Sequence, residues 1–375
     1  MARDETLRKA KETQNDEFYT LYEDIEKEIN AYLDFNPNVF RDKIVLCPCD
    51  DPEWSNFSKY FVLNFEKLGL KKLISTSFAS KSKPSGVTSC PSLLEINDEN
   101  FDRNKTDTCG KVFVLERDIN NSGRVDFEDM TWDYLEGNGD FRSKEIVKLR
   151  DEADIIVTNP PFSLFREFVS WIVEANKLFL IIGNINCIAY KEIFPLLMND
   201  IVWLGTGIGR WISGFIVPEG YDLYGTEARM DSNGNRIVST NSCLWLTNLE
   251  HGKRHSPLSL MTMADNIRYS KHKEIRGVGY KKYDNYNAID VPYSDAIPSD
   301  YEGVMGVPLT FMDKYCPEQF KIVGAAMGWT HSAMSEEWKE SVGYLEDVRS
   351  NAGTRGYGVV DGVQKYHRIL IKKVL

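Results

Sequence analysis

Asn159, Pro160, Pro161 and Phe162 stand in a row, and their types suit chemistry on a weakly nucleophilic nitrogen. The two prolines have no N–H to give a sheet ladder, so a strand entering here must end at Thr158 or Asn159 and continue as a stiff loop. That loop carries a side-chain amide, exposed carbonyls and an aromatic ring. An exocyclic amino group conjugated with a ring shares its lone pair and attacks poorly. The side-chain oxygen of Asn159 and the carbonyl of Pro160 can accept both of its hydrogens, drawing the nitrogen toward tetrahedral geometry, while Phe162 stacks on the base. A rigid turn closed by a packed phenylalanine is the plainer account of the same four residues.

The flanking segments favour the chemical account. Ile155, Ile156 and Val157 form the short β-branched run expected of a strand buried on both faces. In SLFREFVSWIVEAN, Ser163 is placed to cap a helix, and Leu164, Phe165, Phe168, Val169, Ile172 and Val173 recur on one face. Open α/β sheets bind ligands at such carboxyl ends of strands. Upstream, RDKIVLCPCDDPEWSNFSKYF predicts a strand over 43–47 and a helix over 56–68, with a turn between them suited to a nucleotide-type cofactor. KKLISTSF predicts the next strand, and residues 79–130, rich in Ser, Asn, Asp and Lys, an insertion or loop region with one strand candidate, KVFVLE.

After GNGDFRS (137–143), KEIVKLRDEA predicts a helix leading into the strand before Asn159. The alternation continues through KLFLIIGNI, CIAYKEIFPLLMND and IVWLG, which predicts a doubly wound, mostly parallel α/β sheet. GFIVP and SCLWLTNL flank a hairpin, ARMDSNGNRIV, turned at Asn233-Gly234, and the strand pairs are expected to complete the core near Leu249. Residues 250–375 show no comparable alternation. The expected organisation is therefore a core over 1–249 and a second region over 250–375.

A chain of 375 residues with 42 % hydrophobic content has material for two domains. It holds no run of eighteen apolar residues, and MARDETLRKAKE has no apolar segment behind its charges, so neither a membrane span nor a secretory signal is expected. Seven scattered cysteines, with no partners at zinc spacing for Cys47 and Cys49, suit reduced thiols in a cytoplasm and no metal. A net charge of −11 argues against a protein that coats nucleic acid indiscriminately. Basic residues nonetheless gather at Lys271, Lys273, Arg276, Lys281 and Lys282, and at Lys365, Arg368, Lys372 and Lys373. An ordinary solvated face accounts equally well for either cluster.

The Asn-Pro-Pro-aromatic sequence resembles the fourth motif of the DNA amino-methyltransferases, where Asn at the first place favours adenine. Along DEFYT, CDDP, GDFRS, TNPPFSLFRE, YDLYGTEAR and GVMGVP, nearly the whole chain is similar to the EcoRI-type adenine-specific DNA methyltransferases. The resemblance implies a class I S-adenosylmethionine-dependent fold, Rossmann-like, with a carboxyl-terminal DNA-recognition region. It also implies N6-methylation of an adenine flipped out of duplex DNA, with S-adenosylmethionine as donor, and a cognate restriction endonuclease as a companion without a stable complex. By motif it implies catalytic roles for Asn159, Pro160, Pro161 and Phe162. Phe18, Tyr19 and Thr20 would lie against the methionine end of the cofactor; a solvated helix with its aromatics on the core is the alternative there. Cys49, Asp50, Asp51 and Pro52 would form the cofactor turn. Asp140 would take the amino group of the cofactor's adenine beside Phe141, where a plain turn is the alternative.

Two departures from the wider pattern stand out. Ser55 and Phe57 occupy the places of two glycines, a variant shared within this subgroup, and Ser75, Thr76 and Ser77 stand where an acid would hold the ribose. DNA contacts are expected from Arg210, Lys271, Lys273, Arg276, Lys281 and Lys282. Methyltransferases of RNA or of protein glutamine carry a similar loop, usually with their recognition segment ahead of the core, and a non-catalytic DNA-binding relative is the remaining alternative.

Overall fold

The structure, a computed structural model, describes residues 19–52, 54–79, 98, 101–208, 212–217, 228–231, 234–239, 242–330, 339–340, 344 and 356–374. Phe18, Arg210 and Asn233 lie outside the described residues. Contacts divide the chain into two compact units, 1–185 with 203–251 and 186–202 with 252–375.

The first unit opens with a two-residue strand, β1 (Tyr19–Thr20), and helix α1 (Tyr22–Phe35). Strand β2 (Ile44–Cys47) is followed by α2 (Asn56–Leu63) and α3 (Phe65–Leu68), so the helix expected over 56–68 is broken at Asn64. Then come β3 (Lys72–Ser77), α4 (Arg103–Thr108), β4 (Lys111–Leu115) and β5 (Thr131–Tyr134). Helix α5 (Lys144–Glu152) leads into β6 (Ile155–Thr158), α6 (Phe165–Glu174) and β7 (Leu178–Asn184). The chain then passes into the second unit, where α7 (Phe194–Met198) is much shorter than CIAYKEIFPLLMND suggested because Pro195 fits only at its first turn. It returns for β8 (Trp203–Ile208), β9 (Phe215–Val217), β10 (Ala228–Met230), β11 (Arg236–Val238) and β12 (Cys243–Thr247).

Eight of these strands form one mixed sheet in the order β5-β4-β3-β2-β6-β7-β12-β8. Neighbours are parallel from β3 through β2 and β6 to β7. Strands β4 and β5 extend one edge in antiparallel fashion, and β12 runs antiparallel between β7 and β8. Val45, Cys47, Ile155, Val157, Leu180 and Ile182 face the core that α1 and α2 cover. Their alternates Leu46, Ile156 and Ile181 are equally buried, as a sheet covered on both faces requires. Strand order reverses at β2, which has β3 on one side and β6 on the other, the place in an open α/β sheet where ligands generally bind.

GFIVP does not join this sheet. As β9 it pairs with β1 (Tyr19 opposite Ile216) and with β11, giving a separate antiparallel sheet β1-β9-β11-β10. The main sheet is completed by β12 alone of the two candidates.

The second unit contains α8 (Met263–Tyr269) and a five-stranded sheet that residues 250–375 did not advertise. Its strands are β13 (Lys281–Lys282), β14 (Ala288–Asp290), β15 (Val304–Pro308), β16 (Phe320–Ala326) and, beyond a hairpin of β17 (Val359–Val360) and β18 (Val363–Gln364), β19 (Arg368–Lys373). They lie in the order β13-β14-β15-β19-β16. The segment 186–202 belongs here: Arg254 donates to Asp200 at 2.6 Å and Trp329 to the Ala189 carbonyl at 2.7 Å.

Helix α1 is fixed to β8 by a buried carboxylate. Glu28 accepts from Thr206 N–H (2.7 Å), Thr206 hydroxyl (2.6 Å), Gly207 N–H (2.8 Å) and Tyr32 hydroxyl (3.0 Å). Gly205 permits this approach, since a Cβ there would come within 2.3 Å of the Glu28 carboxylate. Burial raises the Glu28 pKa despite these bonds. Glu28→Ala removes the shared acceptor of four donors at a buried site and is expected to lower stability by about 3 kcal/mol or more. Urea unfolding at neutral pH measures this, and a loss below about 1 kcal/mol would show that the clamp is dispensable.

Candidate active site

The turn after β2 and the loop after β6 leave the sheet side by side. Thr158, the last residue of β6, places its hydroxyl 2.7 Å from the Pro48 carbonyl and 2.5 Å from Asp50 Oδ2. Ser55 Oγ lies 2.6 Å from Asp50 Oδ1. The Asp50 carbonyl receives Ser58 Oγ at 2.9 Å and is also met by Ser75 Oγ. Asp50 is enclosed, and burial pushes its pKa from 3.8 up to about 7 against the bonds from Ser55 and Thr158, with the Asp51 charge adding to the rise.

The two missing glycines have a local explanation. Ser55 is the N-cap of α2, accepting from Phe57 N–H at 3.1 Å, and Phe57 turns its ring into the core against Trp245, 5.9 Å between centroids. The Ser55 side chain is thus tied to the turn through Asp50, and the Phe57 ring leaves it for the core. The left-handed residue is instead Cys49, at φ 71°, whose N–H reaches Thr76 Oγ1 at 3.3 Å. Ser75 and Thr76 thus hold the β2 turn, which accounts for polar residues where a ribose-binding acid was expected.

On the other side of that turn, β1 approaches the start of α2: Asn56 Nδ2 donates to the Thr20 carbonyl at 2.8 Å. Strand β9, paired with β1, carries Phe215 edge-on to Phe162, 6.5 Å between centroids. Asn159 and Pro161 are half-buried and Pro160 is buried. Phe162 opens a 3-10 turn, Phe162–Leu164, that precedes α6, so Ser163 lies inside the turn and does not cap the helix. The turn Asn138-Gly139 crosses the end of β3, with Asn138 carbonyl accepting from Ala79 N–H. Gly139 sits at φ 88°, and a Cβ there would come within 2.4 Å of the Ser77 carbonyl. Asp140, next in line, is gripped by Arg142 (Nε to Oδ1 2.8 Å, a terminal guanidinium nitrogen to Oδ2 2.6 Å), which holds its carboxyl below the ordinary range. Phe141, beside it, is 2 % exposed and packs against Phe168 and Trp171.

Four segments distant in sequence therefore converge at the reversal of strand order: 19–20, 48–52 with 54–56, 138–142 and 158–162. A family model described as adenine-specific methyltransferase EcoRI matches residues 6–374. The chain belongs to this family. It is an adenine-specific DNA methyltransferase of the type II restriction-modification kind. The chain is similar to the type II methyltransferase M.EcoRI of Escherichia coli, 47 % identical over 86 % of this chain and 90 % of that one. It is also similar to M.MgeORF184P of Mycoplasma genitalium (32 % identical, over 97 % of this chain and 98 % of that one) and to M.MpnI of Mycoplasma pneumoniae (31 %, over 97 % of each). No solved structure matches.

Membership of a methyltransferase family implies S-adenosylmethionine as the donor, and one orphaned atom fits it. Thr20 is 2 % exposed, and its hydroxyl has no hydrogen-bond partner among the described residues. A buried hydroxyl left so costs about 1–3 kcal/mol, which a bound ligand would relieve. Among the described residues no group of three or more His, Cys, Asp or Glu is arranged to hold a metal, and no helix is long and apolar enough to cross a membrane. Thr20→Val keeps the shape and removes the hydroxyl. It should leave ligand-free melting unchanged or raised and weaken S-adenosylmethionine binding roughly threefold to tenfold by calorimetry; equal affinity would take Thr20 off the cofactor.

Proposed function

We propose that the chain methylates N6 of an adenine flipped out of duplex DNA, with the first unit as a class I S-adenosylmethionine-dependent core and the second as the target-recognition region. The observation that carries this reading is the Asn159–Phe162 loop at the carboxyl end of β6, beside the β2 turn where strand order reverses. An order in which one antiparallel strand stands between two others that run with the parallel set is what a doubly wound core of this class would show. Its bound cofactor supplies an electrophilic methyl group on a sulfonium. Asn159 Oδ1 and the Pro160 carbonyl accept the two amino hydrogens of the target base, Pro161 stiffens the loop, and Phe162 stacks on the base. Tyr19 and Thr20 face the methionine end; Cys49, Asp51 and Pro52 shape the turn; Asp140 takes the cofactor's adenine amino group, sharing its oxygens with Arg142. Flipping costs a few kcal/mol, to be supplied by contacts with phosphates and the major groove.

For those contacts the structure separates the basic residues of the second unit. Lys271 pairs with Asp295 at 2.7 Å and Lys281 with Asp361 at 2.5 Å. In the other cluster Arg368 pairs with Asp290, and Lys373 reaches the Ser299 carbonyl. Lys273, Arg276 and Lys282 are exposed with no ion pair among the described residues, and we assign them to phosphate contacts.

Asn159→Ala should abolish methylation of duplex DNA while S-adenosylmethionine still binds. Near-normal turnover, read by transfer of a labelled methyl group, would remove Asn159 from the chemistry. Replacing Lys273, Arg276 and Lys282 together with Ala should weaken DNA binding to all sequences alike and reduce the slope of log K against log salt by about 2–3. An unchanged slope would place the DNA elsewhere.

A further inference from the structure

The Asp50 cluster poses a question of proton count. Thr158 Oγ1 is within hydrogen-bonding distance of both Asp50 Oδ2 (2.5 Å) and the Pro48 carbonyl (2.7 Å). A hydroxyl has one proton to donate. Were Asp50 ionised, both neighbours would be pure acceptors and one of these two contacts would be oxygen against oxygen with no hydrogen between. A proton on Asp50 removes the conflict: Asp50 donates to Thr158, and Thr158 donates to Pro48. Ser55 is consistent with the same count, accepting from Phe57 N–H at 3.1 Å and donating to Asp50 Oδ1 at 2.6 Å.

Among the described residues no positive charge acts on the Asp50 carboxyl, and the bonds from Ser55 and Thr158 do not offset its burial. No ion pair among the described residues involves Asp50. The titratable group that acts on it is Asp51 in the same turn; the nearby Cys47 thiol on β2 is itself pushed well above its usual value by burial. The remaining neighbours, Ser58 and Ser75, lie on the Asp50 carbonyl and not on its carboxyl.

We propose that Asp50 is kept as a neutral acid and serves as a positioning residue: its proton, donated to Thr158, fixes the end of β6 against the β2 turn and so sets where Asn159 stands. Asp50 then touches neither cofactor nor base. This rests on Asn159 as the group that receives the amine.

The test uses the full chain. Without cofactor or DNA, wild type should lose stability relative to Asp50→Asn as pH rises from about 4 to about 7. The folded acid keeps a proton over that window that the unfolded chain has already lost, so stability present below the window disappears across it. The difference should then stay level at higher pH. A difference constant across the window would mean an ionised Asp50 and would overturn the proposal.

Thr158→Val should lower kcat about tenfold or more with S-adenosylmethionine affinity within threefold of wild type, and Asp50→Asn should retain more turnover than Asp50→Ala. If Asp50→Asn lost cofactor affinity more than kcat, Asp50 would be a cofactor contact and the proposal would fall. Should Asp50→Asn not fold, the infrared carbonyl band of a protonated carboxyl in wild type at pH about 6 reads the same proton. That band should shift in Thr158→Val, and an unshifted spectrum would also overturn the proposal. The melts involve no methyl transfer, so they fail separately from Asn159→Ala.

Discussion

The structure depends on one short hydrogen-bonded strap between the turn after β2 and the end of β6. Its two sides, Pro48 and Thr158, are 110 positions apart, so chain connectivity does nothing to align them. Parallel pairing of Val45 with Ile155 and Leu46 with Ile156 sets the strands, but it ends before either loop begins. Beyond that point the Thr158 hydroxyl is what holds Asn159 in register with the β2 turn. A buried polar network of this kind is rigid only when every member is satisfied, because an unmet group in low dielectric is costly. The hydroxyls of Ser55, Ser58, Ser75 and Thr158 are all drawn onto Asp50 or its carbonyl.

This also explains how the turn works without its glycines. Glycines let backbone N–H groups come bare to a ligand. Here α2 starts with a serine cap that spends its acceptor on Phe57 N–H, and position 57 is given to the core. The two changes depend on each other. A phenylalanine at 57 needs its ring inside, against Trp245, and only a helix already begun at Asn56 points it there. Glycine at 57 alone would leave a ring-sized void, and large-to-small changes in a core are costly. The turn, its cap and the core behind it therefore form one solution.

How much of this could be read from residues follows from how local each signal is. Strands β2, β3, β6 and β7 and helix α6 were legible because each carries its own apolar run or stripe. The sheet β1-β9-β11-β10 was not, since its first pairing joins Tyr19 to Ile216 and no nearby residue records it. The insertion of β12 between β7 and β8 was hidden for the same reason. In the second unit β13 is two exposed lysines and β14 three residues, too short for any period to show. At the site, the types of Asn159 to Phe162 announced the loop. Thr158 showed only as the last residue of a strand, because its partner Asp50 is 108 positions away in the turn of the neighbouring strand.

The basic clusters illustrate the opposite error, a signal that sequence overstates. Lysines counted along the chain look alike, yet Lys271 and Lys281 face carboxylates and Arg368 is largely buried with Asp290. Such pairs present little net charge to a polyanion. Conversely, the chain's net charge of −11 is no bar to binding DNA, because at physiological salt the Debye length is about 8 Å and a distant acidic surface is screened. What a phosphate meets is the charge within that radius. Exposed cations without partners therefore count for more than either the total or the cluster. Phosphate contacts of this kind fix position on the duplex but carry no sequence information; the choice of one site has to come from contacts in the groove, where bases differ.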